Sequence, residues 1–347
     1  MVTASIIIPA LDEERHISAC IESLLTQDLQ DTELIVVDNG SKDKTPLIVE
    51  KYAEKKTEKI RLIKLERNIG PGGARNIGAR EARGEILVFL DADMIFPPNY
   101  VRKLIDPILR NEALSTVHSE ELVANTVNPW VRVQGQTKKS MQSREGEVFR
   151  AIRRDVFMRY GGFDPSLHYH DDRTFYYKTG HKAIVVEAIC YHNNPDTARE
   201  IFRRNYLIGR TLIAVTLQEK GVKGVADVAA ITVLRLADLA ALPLLVTLII
   251  LQPILSLPTS VAALLLTPSI FFAVSTARMK IITAERLREK LLLRLLYAPA
   301  YRLIRAAGMV AGVAASLIRG LRVRQSLPSQ QPSNHARRPS PSHLGSP

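Results

Sequence analysis

The residues best placed to do chemistry are Asp91 and Asp93, which close the run Gly84-Glu85-Ile86-Leu87-Val88-Phe89-Leu90. Ile86 to Leu90 are all large or β-branched and apolar, and too few to cross a membrane. Bounded by Gly84 and two aspartates, they read as a buried strand of a mostly parallel sheet. Such sheets bind their ligands beyond the carboxyl ends of the strands. Alternation along an extended chain turns both carboxylates the same way, with Ala92 aside. Two hard anionic donors on one face suit Mg²⁺ or Mn²⁺, and through the ion a diphosphate.

Other residues could join them. Asp38 ends a second apolar run, Leu34-Ile35-Val36-Val37, and could accept hydrogen bonds from a base or a ribose. A dinucleotide fold would also place an acid there, but it needs Gly-x-Gly-x-x-Gly after the first strand. Here that strand ends in Pro9-Ala10-Leu11-Asp12-Glu13-Glu14. The cluster Gly70-Pro71-Gly72-Gly73 is not followed by Gly-Lys-Ser/Thr, so it reads as a helix start that lets a ligand approach the backbone, with Arg75 and Asn76 on the first turn. Asp171 and Asp172 offer a general base for an attacking hydroxyl, or a cap for the helix that follows. His192 is a metal ligand or a structural histidine.

The elements that must position these groups alternate. Strands are expected at 4–9, 33–38, 60–65 and 86–90, with helices over 13–27 (capped by Asp12), 46–55 and 74–83 between them. That order predicts a doubly wound, mostly parallel α/β sheet. Beyond Asn99 come a helix at 98–110, a strand at 114–119 and a polar stretch at 125–146 without assignment. A strand at 148–152, a helix at 154–160, a short helix at 171–178 and a strand at 183–188 complete the domain.

The net charge of +12 is misleading until it is located: from Arg278 onward 13 Lys and Arg face only Glu285 and Glu289. Residues 1–277 are therefore nearly neutral, and a nucleic-acid partner is not expected. Two cysteines, Cys20 and Cys190, build neither a disulfide framework nor a thiolate zinc site and fit a reducing compartment. No cleavable signal is expected, since Met1 leads almost directly into Ser5-Ile6-Ile7-Ile8. From Leu239 to Ala277 there is no Asp, Glu, Lys or Arg, and splitting the stretch at Ser256–Ser260 gives two spans of just sufficient length. Arg235 before it and Arg278, Lys280, Arg286, Arg288 and Lys290 after it put both ends in the cytoplasm. A further span inside 299–318 would have to absorb Arg302 and Arg305 and is not expected. The organisation expected is a cytoplasmic catalytic domain over 1–220, an amphipathic interfacial linker at 221–238 and a transmembrane hairpin at 239–277. Basic amphipathic membrane-associated helices at 278–325 and a disordered tail at 326–347 follow.

In order, these pieces resemble a known family. Ser5-Ile6-Ile7-Ile8-Pro9-Ala10-Leu11-Asp12-Glu13-Glu14, Val36-Val37-Asp38-Asn39-Gly40-Ser41, Asn68-Ile69-Gly70 through Gly78, Asp91-Ala92-Asp93 and Gly161-Gly162-Phe163-Asp164 with a following acidic pair are similar to the family 2 glycosyltransferases. The resemblance covers roughly residues 3–210. It implies a GT-A-type fold that binds a nucleotide-diphosphate-sugar, and inverting transfer of one sugar with Mg²⁺ or Mn²⁺. Carried over by position, Pro9, Leu11, Glu13, Asp38, Arg75 and Asp91 would bind the donor. Asp93, Asp91 and His192 would hold the metal, Asp172 would be the base, and Asp171 would stand in the position of the family's Glu. Leu11-Asp12-Glu13 departs from the family's Tyr-Asn-Glu, and the Gln-x-x-Arg-Trp of processive synthases is absent, so single transfer is expected. With the hairpin, the acceptor implied is lipid-linked or otherwise membrane-associated, and membrane lipids are partners. The alternatives are a polyprenyl-phosphate sugar synthase and a non-catalytic membrane-bound scaffold that binds the nucleotide-sugar.

Overall fold

The computed structural model describes residues 2–27, 31–55, 59–135, 138–140, 147–165, 171–255, 259–279 and 287–326. The first half alternates as its hydrophobic pattern requires: β1 (Ala4–Ala10), α1 (Ile17–Leu25), β2 (Thr32–Asp38), α2 (Thr45–Lys55), β3 (Ile60–Lys64), α3 (Pro71–Glu81) and β4 (Ile86–Phe89). Then come β5 (Met94–Ile95), α4 (Tyr100–Leu109), β6 (Ser115–Val123), α5 (Pro129–Arg132), β7 (Lys138–Ser140), β8 (Ala151–Arg153), α6 (Arg154–Arg159), α7 (Asp171–Thr179) and β9 (Ile184–His192).

The strands form one sheet in the order β3-β2-β1-β4-β8-β6-β9-β5, with β7 beside β6. β1 to β4 are parallel to one another. Past β4 the sheet is mixed: β8 runs against both β4 and β6, and β5 against β9. The parallel expectation holds throughout the first half, and in the second half for β6 and β9, while the other pairs there are antiparallel. Parallel neighbours need long crossovers, usually helical, and between β6 and β8 the described chain holds only the one-turn α5 and the hairpin strand β7.

Alternation along the buried strands splits the core in two. Ile6, Ile8, Val36, Val88 and Leu90 face α1, α2 and α4 on one side. Ile7, Ile35, Val37, Leu87 and Phe89 face α3, α6 and α7 on the other, where Phe89, Phe149, Phe157, Phe163 and Phe175 pack ring against ring. Gly78 lets α3 lie flat on this second face, because a Cβ there would overlap Ile7 and Val37.

α1 begins at Ile17 rather than residue 13, and Asp12 does not cap it. Asp12 sits at φ +58°, and its carboxylate accepts from Lys42 N–H at 2.9 Å. The loops after β1 and β2 are laced together in this way. Glu13 N–H donates to Thr45 Oγ1 at 2.8 Å, Glu14 N–H to Asp43 Oδ2 at 3.0 Å, and Asp12 N–H to Ser41 Oγ at 2.9 Å.

The remaining chain is helical: α8 (Ala198–Lys220), α9 (Gly224–Leu255), α10 (Thr259–Ala277), α11 (Leu287–Leu292) and α12 (Ala298–Ser326). Of residues 221–238, expected as a separate linker, 221–223 form a 3-10 turn and 224–238 run continuously into the first apolar half as α9. α12 packs along α8 through glycines: side chains at Gly209, Gly308 or Gly312 would meet backbone of the opposite helix. Arg302, expected to weigh against a membrane span here, is 9% exposed and pairs with Asp238 on α9. Its Nη1 donates to Phe272 O at 2.9 Å. Among the described residues one helical stretch, Glu289–Arg319, is long and apolar enough to cross a membrane by length and composition, with a third of its most apolar 18 residues buried. Side chains 245–266 and residues 327–347, which carry most of the expected hairpin and the tail, lie outside the described residues.

Candidate active site

The sequence-predicted residues gather at the carboxyl ends of β1, β2 and β4. The chain does not stay extended through Asp91-Ala92-Asp93. It turns, with Met94 N–H donating to Asp91 O at 3.3 Å, so the two carboxylates face different partners rather than sharing one direction. Asp91 accepts from Arg75 Nη2 at 2.5 Å on one oxygen and from Arg150 Nη1 at 2.9 Å on the other. Burial alone would raise its pKa, but the Arg150 and Arg75 guanidinium groups hold it well below the usual carboxylate range.

Asp93 faces His192. The short strand β5 pairs with β9 so that Met94 lies opposite His192, which brings His192 Nε2 within 2.9 Å of Asp93 Oδ2. Asn193 N–H and Asn193 Nδ2 both donate to Asp93 O, at 3.0 and 3.1 Å. Behind the ring, His192 Nδ1 meets Glu121 Oε1 at 2.6 Å. Glu121 Oε2 is 3.8 Å from Arg150 Nη2, so a chain of polar groups runs from Asp93 through His192, Glu121 and Arg150 back to Asp91.

Asp93 and His192 fit a divalent ion. Their donor atoms stand 2.9 Å apart, about the ~3 Å edge of an octahedral site with ~2.1 Å bonds. Glu13 feels the negative field of this site and is mostly protonated near neutral pH. Burial first, then the charges of Asp93 and Glu200, push its pKa up to about 8. His118, Glu121 and Cys190 also bring ligand atoms within 4.8 Å of one another. Burial pushes the Cys190 thiol up to about 12, and Arg150 beside Glu121 repels a cation. Tyr100 Oη meets His118 Nδ1 at 2.8 Å, and this cluster is a hydrogen-bonded piece of core.

Around the opening, Asp38 is buried at the end of β2 and accepts from Ser41 N–H at 3.3 Å. Asn39 and Asn68 tie the β2 loop to the start of α3: Ile69 N–H donates to Asn39 Oδ1 at 2.9 Å, and Gly70 N–H to Asn68 Oδ1 at 2.8 Å. α3 starts at Pro71 rather than 74, so Arg75 stands just past its first turn, its guanidinium 5.8 Å from the Phe163 ring. Asn76 grips Phe163 at both its N–H and its C=O, at 2.9 and 2.8 Å, and so docks the Gly161-Gly162-Phe163 turn on α3. Pro9 and Leu11 are half-buried beside Glu13. On the far side Arg15 forks onto Asp196, at 3.0 and 2.9 Å, and reaches Glu200 at 3.1 Å, which fastens the β1 loop to the start of α8.

Residues 5–163 match the family described as glycosyl transferase family 2. This stretch is a family 2 glycosyltransferase domain. An uncharacterized glycosyltransferase of Nostoc sp., alr2836, is 31% identical over 119 residues, 34% of this chain and 37% of that protein. An uncharacterized glycosyltransferase of Bacillus subtilis, EpsJ, is 30% identical over 218 residues, 57% of this chain and 63% of its own length. The chain thus spans less than two thirds of either relative. Among solved structures, the mannosyltransferase PcManGT of Pyrobaculum calidifontis, in complex with GDP-Man and Mn²⁺, aligns over 90% of this chain and 86% of its own, at 21% identity and a TM-score of 0.49.

Within the family domain the structure brings Glu13, Asp91, Asp93 and Arg75 into one charged cluster with His192, which lies beyond it. Asp171 and Asp172 open α7, but their side chains lie outside the described residues. Sequence reasoning missed Glu121 and Arg150. The strand expected at 114–119 continues to Val123, and a carboxylate in the extra turn of ladder, Glu121, was the available signal.

Proposed function

We propose that the protein transfers a single sugar from a nucleotide-diphosphate-sugar to a hydroxyl of a lipid-linked or membrane-associated acceptor, with inversion and with Mg²⁺ or Mn²⁺. The observation that carries the metal-dependent part is the 2.9 Å approach of Asp93 and His192, two suitable donors fixed by opposing strands at the ligand-binding end of the sheet. The ion, held by Asp93 and His192, would offset the charge that builds on the departing diphosphate.

The chain's own residues take the remaining roles. Asp38 and the half-buried Pro9, Leu11 and Glu13 form the wall for the nucleoside, with Asp38 accepting from the base. Asp91, fixed by two arginines, orients Arg75 toward the donor and meets the ribose. Asp172 accepts the proton of the acceptor hydroxyl on the face opposite the leaving group, with Asp171 beside it, and attack from that face inverts the anomeric carbon.

The C-terminal helices hold the protein at a membrane, with the catalytic domain on the cytoplasmic side. Support comes from exposed apolar side chains, among them Val233, Leu234, Phe271, Leu295, Leu296 and Leu317, and from the apolar stretch Glu289–Arg319. Confinement to that surface raises the effective concentration of a membrane-bound acceptor.

The test is calorimetric titration of nucleoside diphosphates into the detergent-solubilised protein, with and without Mn²⁺. The reading expects one base to bind, and to need the ion. Folded protein that binds none of them would remove the donor site, and with it the reading.

A further inference from the structure

We propose that Glu121 is a positioning residue that sets His192 for metal binding. The proposal rests on the reading of Asp93 and His192 as metal donors, and concerns a residue to which that reading gives no role.

Glu121 is 5% exposed, in the strand β6. A carboxylate so far from water must be matched by partners that repay its lost hydration. One oxygen meets His192 Nδ1 at 2.6 Å, and the other lies 3.8 Å from both Arg150 Nη2 and His118 Nε2. Strand register produces the first contact. Val123 is the ladder partner of His192, and Glu121, two residues earlier, is on the same face and diagonal to the ring.

A histidine has two nitrogens, and a carboxylate on Nδ1 keeps the proton there. Nε2 can then give up the proton it shares with Asp93, 2.9 Å away, and turn its lone pair to an ion that enters between them. The Glu121 contact also fixes the ring's orientation, so that donor and aspartate need little reorganisation before an ion arrives. Charge balance supports this division of labour. Arg75 and Arg150 pair with Asp91, and Arg150 also lies near Glu121, while Asp93 meets His192, the partner with which it would share a cation. The competing role for Glu121 is neutralisation of Arg150 alone. Under that role its removal would loosen Arg150 and Asp91 but leave the tautomer of His192 as it was.

The experiment uses the full-length protein in detergent and Mn²⁺ alone as the probe, with free Mn²⁺ followed by electron paramagnetic resonance. Nitrogen-detected NMR of ¹⁵N-histidine-labelled protein saturated with diamagnetic Mg²⁺ reports the His192 tautomer, its signals assigned by their loss in His192→Gln. Glu121→Gln is isosteric and keeps an acceptor for Nδ1–H, so it should preserve the tautomer while weakening Mn²⁺ about 10–100-fold. Glu121→Ala should weaken the ion at least as much and shift the ring toward the Nε2–H form. Asp93→Asn should abolish binding altogether. Wild-type affinity in Glu121→Gln and Glu121→Ala, with the tautomer unchanged and Asp93→Asn inactive in binding, would overturn the role of Glu121 and leave the metal site standing. Wild-type Mn²⁺ affinity in Asp93→Asn would overturn both.

Discussion

Arg150 Nη1 donates to Asp91 Oδ2 at 2.9 Å, across the seam where the antiparallel β8 meets the parallel half of the sheet. Phe89 N–H donates to Arg150 O at 2.7 Å, which sets the arginine beside the end of β4 and aims it at the aspartate two residues on. The sheet's change of direction is thus what supplies the second guanidinium to Asp91.

Removing that arginine should be felt in stability. Arg150→Ala leaves Asp91 with Arg75 alone, and unpairing a fully buried charge costs about 3–5 kcal/mol. Asp91 keeps a side-chain exposure of 25%, so a cost of about 2–3 kcal/mol and a fall in melting temperature of roughly 5–10 °C is expected. Thermal unfolding in detergent checks it, and an unchanged melting point would mean that Arg75 alone satisfies Asp91.

Glu13 should make the metal-free protein sensitive to pH. Its pKa rises from an ordinary 4.5 to about 8 in the fold, so the folded chain keeps a proton that the unfolded chain releases. The stability linked to this proton is fully present below about 4.5 and is lost as pH rises through about 8. Melting temperature should therefore fall between pH 5 and about 8 in the wild type, and fall less in Glu13→Gln. Equal slopes for the two proteins would place Glu13 in water.

Asp172 carries the proposed base. Asp172→Asn should lower kcat by about 10²–10⁴-fold while donor affinity stays near wild type, since a group that acts on the acceptor proton contributes little to holding the nucleotide. Asp171→Asn should have the smaller effect. Steady-state transfer alongside calorimetric donor binding separates the two, and a larger loss in Asp171→Asn would exchange their roles.

Gly312 tests the seam between catalytic domain and C-terminal helix. A side chain there would run into Tyr206 O of α8. Gly312→Val is expected to cost about 1–3 kcal/mol by overpacking, and to expose α12 to protease near Arg319 and Arg322. Wild-type cleavage and melting would show that the helices separate freely.

Much of the fold could be read from residue order, for a physical reason: β1, β2 and β4 are short apolar runs buried on both faces, with the half-buried edge strand β3 beside them and helices between. Asp91, Asp93, Asp38 and Glu13 were legible because they close such runs, and strand ends are where ligands bind. The conformation of Asp91-Ala92-Asp93 was not legible. Alternation presumes extended backbone, and a turn separates the carboxylates. Asp12 looked like a helix cap because Asp favours that place, yet a tertiary bond to Lys42 N–H claimed it. Arg150 and Glu121 come from the mixed half of the sheet, where pairing partners are far apart in sequence and no local period marks them. Arg302 looked costly in an apolar helix because its partner, Asp238, stands 64 residues away.

The central claim is metal-dependent sugar transfer through Asp93. Its most direct test is release of nucleoside diphosphate from a panel of nucleotide-sugars, in membranes containing the full-length protein, with Mn²⁺ supplied or chelated. The account predicts release from one donor with Mn²⁺, loss of that release on chelation, and at least a hundredfold lower rate in Asp93→Asn, on the order expected when a transition-state charge stabiliser is removed. Full release by Asp93→Asn in the presence of Mn²⁺, or equal release under chelation, would contradict it.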